Sequence, residues 1–362
     1  MSLKYIREYR DGTLAKGLLG EIERLGVKDC NFMEVCGTHT MSIFRYGIKN
    51  VLPDSIRLMT GPGCPVCVTA QKDIDAFITF ARDKEFIVST FGDLMKVPGS
   101  SSSLQREKSQ GADVRIVYSV FDSLNIAYEN PEKQVVFCAV GFETTTPTVA
   151  ATILAALEKK CANFSIYSAH KLTPPALAAL METDGVKIDG FILPGHVSVI
   201  TGTQGYADVF EKYGIPSVIA GFEPVDILKA VLMLSKQVKA GRPVLENAYE
   251  RAVLPEGNIR ARQVMDQVFT VENSVWRGIG EIPDSGMVLK DEYRAFDAAE
   301  KFGMEVKEAK EPAGCACGAI LMGLQTPEEC RLYNTACTPE HPVGPCMVSS
   351  EGACAAYYKY KR

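Results

Sequence analysis

The chain has 362 residues, 46% of them hydrophobic, which is enough for two or three domains with sizeable cores. A formal charge of -5 without any run of Lys or Arg excludes the electrostatic footprint of a nucleic-acid-binding protein and favours protein or small-molecule partners. The first thirty residues carry charges throughout and contain neither a signal-peptide core nor a membrane-spanning run, so the expected location is the cytoplasm, with no membrane partner.

Residues 1–30 read as one or two amphipathic helices, with Ile6, Leu14, Leu18, Leu19, Ile22 and Leu25 at buried positions. They are expected to dock elsewhere on the protein, with the C-terminal domain as the candidate. Short apolar runs follow, each ending in Gly, Pro or Thr and leading into a helical stretch: FMEV at 32–35, IRLM at 56–59, FIVST at 86–90, VRIVYS at 114–119 and VVFCAV at 135–140. SIYSAH, GFILPGHVSVITG and IPSVIAGFEPVDILKAVLML continue the alternation to about residue 241. This pattern predicts an α/β fold with two parallel-sheet, Rossmann-like domains, 31–125 and 126–241, facing across a cleft. The tripeptide GFE recurs at 141–143 and 221–223, a weak echo between the halves. CGTHT, GPGCPVC, FGD, GFETTT, PGHVS and GFEP all follow an apolar run, which places them at the carboxyl edges of the strands, where open parallel sheets bind ligands. Over 242–310 the strand signal weakens; NIRARQVMDQVFTVEN and DEYRAFDAAEKFG read as helices around a loop, WRGIGEIPDSG. Residues 242–362 are thus expected to form a helical connector and a smaller C-terminal domain.

Cysteines dominate the chemistry. Cys36 and His39, in VCGTHTM, sit where a strand ends and a helix begins. A thiol there is drawn toward thiolate by the helix N-terminus, and an imidazole three residues on could complete a Cys/His pair for a soft metal. A packed Cys36 with a capping His39 is the competing reading. Cys64 and Cys67 form C-P-V-C directly before a helix, an arrangement suited to thiol redox, although half of a zinc site stays open. Gly61, Pro62, Gly63 and Pro65 favour a rigid, exposed loop. GFETTTPT lacks the Lys of a phosphate loop; its threonines are either an anion site or a helix cap. Glu143, Asp93 and His196 are polar residues at strand ends, and Cys30, Cys138 and Cys161 read as packing residues.

Six of the twelve cysteines fall between Cys315 and Cys354, in a segment broken by four prolines and too poor in apolar side chains to offset its own ordering entropy. Cys317, Cys330, Cys337 and Cys354 space as C-x12-C-x6-C-x16-C. Zinc ribbons use close C-x2-C pairs, so separated thiolates suit a [4Fe-4S] cluster better, with zinc or no metal as alternatives. Cys315 and Cys346 are left over, either as a redox pair or as spare thiols.

VCGTHTMSIFRYGI, TGPGCPVCVT, FGDLMKVPGS, VGFETTTPT, PGHVSVITG and CTPEHPVGPCMVSSEGACAAYY, in this order, resemble the HypD family of [NiFe]-hydrogenase maturation factors from about residue 30 to the C-terminus. The resemblance implies a cytosolic scaffold for the Fe(CN)2CO unit, working as a monomer within a hetero-complex with a HypC-type chaperone and a HypE-type cyanide donor. It implies that Cys36 holds iron with His39 as helper, that Cys64 and Cys67 act in thiol redox, and that Cys317, Cys330, Cys337 and Cys354 hold a [4Fe-4S] cluster. A two-electron step at bound cyanide would then pass through Cys64 and Cys67 or through Cys315 and Cys346. The rival function is a stand-alone [4Fe-4S]-dependent thiol-disulfide reductase.

Overall fold

The computed structural model describes residues 8–304 and 309–361. Each predicted apolar run is a strand: β1 Cys30–Glu34, β2 Ile56–Thr60, β3 Phe86–Thr90, β4 Val114–Ile116, β5 Gln134–Ala139, β6 Phe164–Ser168, β7 Gly190–Pro194 and β8 Ser217–Ala220, with β9 Leu245–Asn247 added. They form two all-parallel sheets, a five-stranded one in the order β2-β1-β7-β8-β9 and a four-stranded one in the order β4-β3-β5-β6. The inner strands are buried almost throughout, as parallel strands covered on both faces must be, while the edge strands β4 and β9 are largely half-buried or exposed.

The sheets do not divide the chain near residue 125. β1 and β2 belong with β7, β8 and β9, and the four-stranded sheet is inserted between them in sequence. Apolar runs show that a strand is buried in a parallel sheet, but not in which sheet, so a contiguous split was the simpler expectation.

Helix Gly12–Leu25, capped by the Asp11 carboxylate, packs on helix Pro224–Ala240 of the five-stranded unit and not on the C-terminal domain. Ile22 is buried, Leu18, Leu19 and Leu25 are partly buried against the same core, Leu14 is exposed, and Ile6 lies outside the described residues. Lys239 Nζ donates to Leu25 O at 2.7 Å, which fastens the end of the helix.

The region 258–304 differs from its reading. Helix Ile259–Val268 ends at Phe269, where β10 (Phe269–Trp276) pairs antiparallel with β11 (Gly280–Leu289). The exposed Thr270–Asn273 stretch of β10 mimics the polar face of a helix. The tip of this hairpin reaches the middle of the molecule: Thr69 bridges to Trp276, Lys171 to Gly286, and the Trp276 indole stacks on Phe142. The tail consists of short turns and two helices, Cys317–Leu321 and Ala353–Tyr360. The second lies on helix Gly37–Arg45, with Phe44 and Tyr357 rings 4.4 Å apart. One apolar core joins both sheets to the tail cysteines. Among the described residues no helix is long and apolar enough to cross a membrane.

Candidate functional site

The carboxyl edges of the two sheets converge, and most of the sequence motifs meet there. Cys36 follows β1 and is the N-cap of helix Gly37–Arg45. The GPGC loop after β2 lies against it: Gly37 N donates to Gly63 O at 3.0 Å, and a Cβ on Gly63 would sit 2.1 Å from Cys36 N. Only glycine permits that approach. Asp93, after β3, adds its negative charge near Glu351. Glu143, after β5, and Cys36 both act on the Tyr206 hydroxyl. His196, after β7, stacks on Phe222 with ring centroids 4.0 Å apart, and His39 Nε2 donates to Gly221 O after β8 at 2.9 Å.

Cys36, His39 and Glu143 are enclosed at this edge, whereas Asp93, Thr144 and His196 stay exposed. Cys36 is 7% exposed because the tail covers it, with Glu351 accepting from the Thr38 hydroxyl at 2.5 Å. The Gly61–Cys64 loop, expected to be exposed, is buried between β1 and the tail. A cavity of about 360 Å³ lies outside this centre, where Lys49, Arg57 and Met59 face Ile320, Thr326 and Tyr357.

Burial reverses the expected acidity of Cys36. Desolvation pushes its thiol up to about 12, with Glu351 adding to the rise, and hydrogen bonds from the His39 and Thr38 N–H groups oppose it without prevailing. The helix N-terminus is present, but the thiol is buried and faces carboxyl groups. Glu34, at the end of β1, accepts from Cys36 N at 3.0 Å and from the Thr40 hydroxyl at 2.5 Å, and burial raises it to about 8. His39 is fully buried and lowered by desolvation to about 4, so it is neutral; its Nε2 proton goes to Gly221 O and its Nδ1 has no partner. The GFETTT threonines form no phosphate cradle: the Thr145 and Thr146 hydroxyls donate back to Phe142 O.

Cys64 and Cys67 are joined in a disulfide on the short helix Pro65–Val68, both buried. That helix packs on the turn Pro345–Met347, which carries Cys346. From there sulfur follows sulfur. Cys346 Sγ lies 3.2 Å from Cys354 Sγ and is also hydrogen-bonded to Cys317, which in turn meets Cys315. Cys315 and Cys346 flank Gly344. The two leftover thiols therefore lie within the sulfur group and not apart from it. Cys337 Sγ accepts from Val343 N at 3.3 Å, and Cys330 Sγ points to Gly314 O. The hydrogen bond with Cys317 and burial raise the Cys315 thiol.

Among the described residues no three Cys, His, Asp or Glu side chains converge on a point that could hold one metal ion. A cubane asks for something else, since each of its thiolates binds a different iron. Four buried cysteines on separate short segments, with a buried guanidinium whose Nη1 and Nη2 have no hydrogen-bond partner and whose charge acts on Cys315 and Cys317, suit such an anionic centre. That guanidinium belongs to Arg277. Arg277, Glu34 and Glu351 had no place in the sequence reading. Glu34 could have been noticed as a carboxylate ending an apolar strand, whereas Glu351 and Arg277 acquire their positions only by long-range packing.

The profile of the family described as "HypD: Hydrogenase formation hypA family" matches residues 13–361. The chain is 47% identical to the hydrogenase maturation factor HypD of Rhizobium leguminosarum bv. viciae, over 99% of this chain and 96% of that protein. It is 45% identical to HypD of Cupriavidus necator, over 99% and 98% respectively. The hydrogenase expression/formation protein HupD of Azotobacter chroococcum mcd 1 is 45% identical over 99% of this chain and 97% of its own. By full-length identity and by the motifs gathered at its centre, the chain belongs to the HypD family of hydrogenase maturation factors.

Proposed function

We propose that within hydrogenase maturation this chain is the scaffold and redox protein on which the Fe(CN)2CO unit is assembled. Its cargo iron is held between Cys36 and a thiolate of a HypC-type chaperone, and its cyanide comes from a HypE-type donor. The observation that supports this best is the unbroken succession from Cys36 through Gly63 and the Cys64–Cys67 disulfide to Cys346 and the tail sulfurs.

Cys36 must lose its proton to bind iron, and a thiol held at about 12 keeps that proton until a cation displaces it. The turn Ser349–Gly352 must also swing away from Gly37 and Thr38, because Glu351 closes that side. Cyanide carried as a thiocyanate, R–S–C≡N, is freed by two electrons. In the dithiol form, Cys64 and Cys67 supply them: the S–C bond breaks, a Cys64–Cys67 S–S bond forms, the carrier leaves as R–SH, and cyanide passes to the iron with release of a proton. Cys317, Cys330, Cys337 and Cys354 would hold the [4Fe-4S] cluster, which supplies electrons one at a time when bound. Cys315 and Cys346 lie on the route from there to the disulfide. Glu34 and Thr40 fix the Cys36 backbone, and neutral His39 anchors its helix to the end of β8.

One observation favours the rival, a stand-alone disulfide reductase: Cys64–Cys67 touches the tail while Cys36 is enclosed. Infrared spectroscopy of the protein purified with its small partner separates the two. CN and CO stretches are expected in the wild type and absent from Cys36→Ala; bands retained in that variant would contradict the role given to Cys36, and none in the wild type would leave the reductase.

A further inference from the structure

Arg277 occupies the tip of the β10–β11 hairpin, wedged between the two sulfur-bearing regions. Its backbone N–H donates to Val68 O at 2.9 Å, just past the Cys64–Cys67 helix. The next residue, Gly278, is pressed on Gly318 at the start of the Cys317–Leu321 helix; a Cβ on Gly318 would meet Gly278 O at 2.1 Å. The Arg277 side chain is 1% exposed, and neither Nη1 nor Nη2 has a hydrogen-bond partner.

A guanidinium keeps its charge at any physiological pH, and a buried charge without a partner is among the costliest arrangements in a protein. Among the described residues the other buried Lys or Arg, Lys171, is satisfied, and so is the partly buried Arg251. Lys171 donates to Ser274 Oγ and Val275 O, and Arg251 forks onto Asp226. Among the described buried polar atoms without a partner, only those of Arg277 carry a permanent charge. Glu311 accepts from Gly278 N–H at the hairpin tip and not from Nη1 or Nη2 of the guanidinium. The groups that feel its charge are Cys315 and Cys317.

We infer that Arg277 is the counter-cation of the sulfur centre built by the cysteine tail, its free Nη–H groups donating to thiolate or sulfide and its charge easing the entry of an electron. This rests on the cluster reading above. A cubane bound by thiolates is anionic and becomes more so on reduction, so a fixed positive charge and N–H···S hydrogen bonds both favour the reduced form. Arg277 is therefore a positioning residue: it touches no substrate, but it sets the potential of the electron source.

The test uses the full chain, reconstituted anaerobically with iron and sulfide, as wild type, Arg277→Lys and Arg277→Gln. Iron and sulfide content and an EPR-monitored redox titration are measured on each. The expected result is a lower midpoint in Arg277→Gln, by at least a tenfold change in the reduced-to-oxidised ratio, about 59 mV for one electron, with Arg277→Lys closer to the wild type. Failure of Arg277→Gln alone to hold iron supports the same role in a stronger form. An unchanged midpoint at full iron content, or equal loss of iron in both variants, would overturn the inference and assign Arg277 to packing. A wild type that binds no cluster defeats the underlying reading, and the inference with it.

Discussion

Cys36, Cys64 and Cys67 are positioned by regular structure, after the ends of β1 and β2 in a sheet with apolar cores. The tail cysteines are positioned by short pieces: Cys317 opens the helix Cys317–Leu321, Cys354 lies at the start of the helix Ala353–Tyr360, and Cys330 and Cys337 sit between them, where there are only two three-residue 3-10 segments. The α/β part is built on regular strands, and one of its apolar cores extends into the tail. The tail covers Cys36 through Glu351.

Three perturbations should sharpen this contrast. The largest effect is expected from Cys330→Ser, which removes one proposed cluster ligand. The tail amides should exchange on the order of 100-fold faster, about 3 kcal/mol of local stability, while amides of β1, β5 and β7 keep their protection in hydrogen-exchange mass spectrometry. Equal loosening of the sheets would erase the distinction. Next is Gly63→Ala at the joint between the regions. The added methyl meets the Cys36 backbone, which cannot step aside, so a loss of about 2 kcal/mol in denaturant unfolding is expected. A neutral result would mean the two loops are not locked together.

The last perturbation belongs to the sheet side and is read by pH. Burial raises Glu143 to about 7, above its ordinary 4.5, against the hydrogen bonds it accepts from Thr173. The folded protein therefore holds this proton more tightly than the unfolded chain. The stability it contributes is complete below about pH 4.5 and is lost as pH rises through about 7, by up to about 3 kcal/mol. Glu143→Gln should flatten that part of the stability profile without altering the metal content of the tail. A profile with the same slope in both proteins would place the titration elsewhere.

The two regions were also unequally legible in the sequence. Runs such as FIVST and VVFCAV marked β3 and β5 because apolar, β-branched stretches bounded by Gly and Thr have little else to be. The motifs after them could be placed at one edge for the same reason. Sheet membership could not be read: β1 pairs with β7 across more than a hundred intervening residues, and no local pattern records that. β10 reads as helix in the sequence because Thr270, Glu272 and Asn273 are exposed polar residues that break the apolar alternation of a strand. The acidity of Cys36 was misjudged since its cover, Glu351, lies far downstream. In the tail, spacing offers Cys317, Cys330, Cys337 and Cys354 as a set but does not reveal that Cys315 and Cys346 lie against Cys317 and Cys354.

The central claim is that the Cys64–Cys67 pair relays electrons in twos between the tail and the Cys36 site. It is tested most directly by adding electrons stepwise to the reconstituted full chain, quenching in acid, alkylating free thiols and locating them by mass spectrometry. The account predicts that Cys64 and Cys67 become alkylated together, at two electrons per disulfide beyond those held by the cluster. A cluster that reduces fully while the Cys64–Cys67 disulfide stays intact would contradict it.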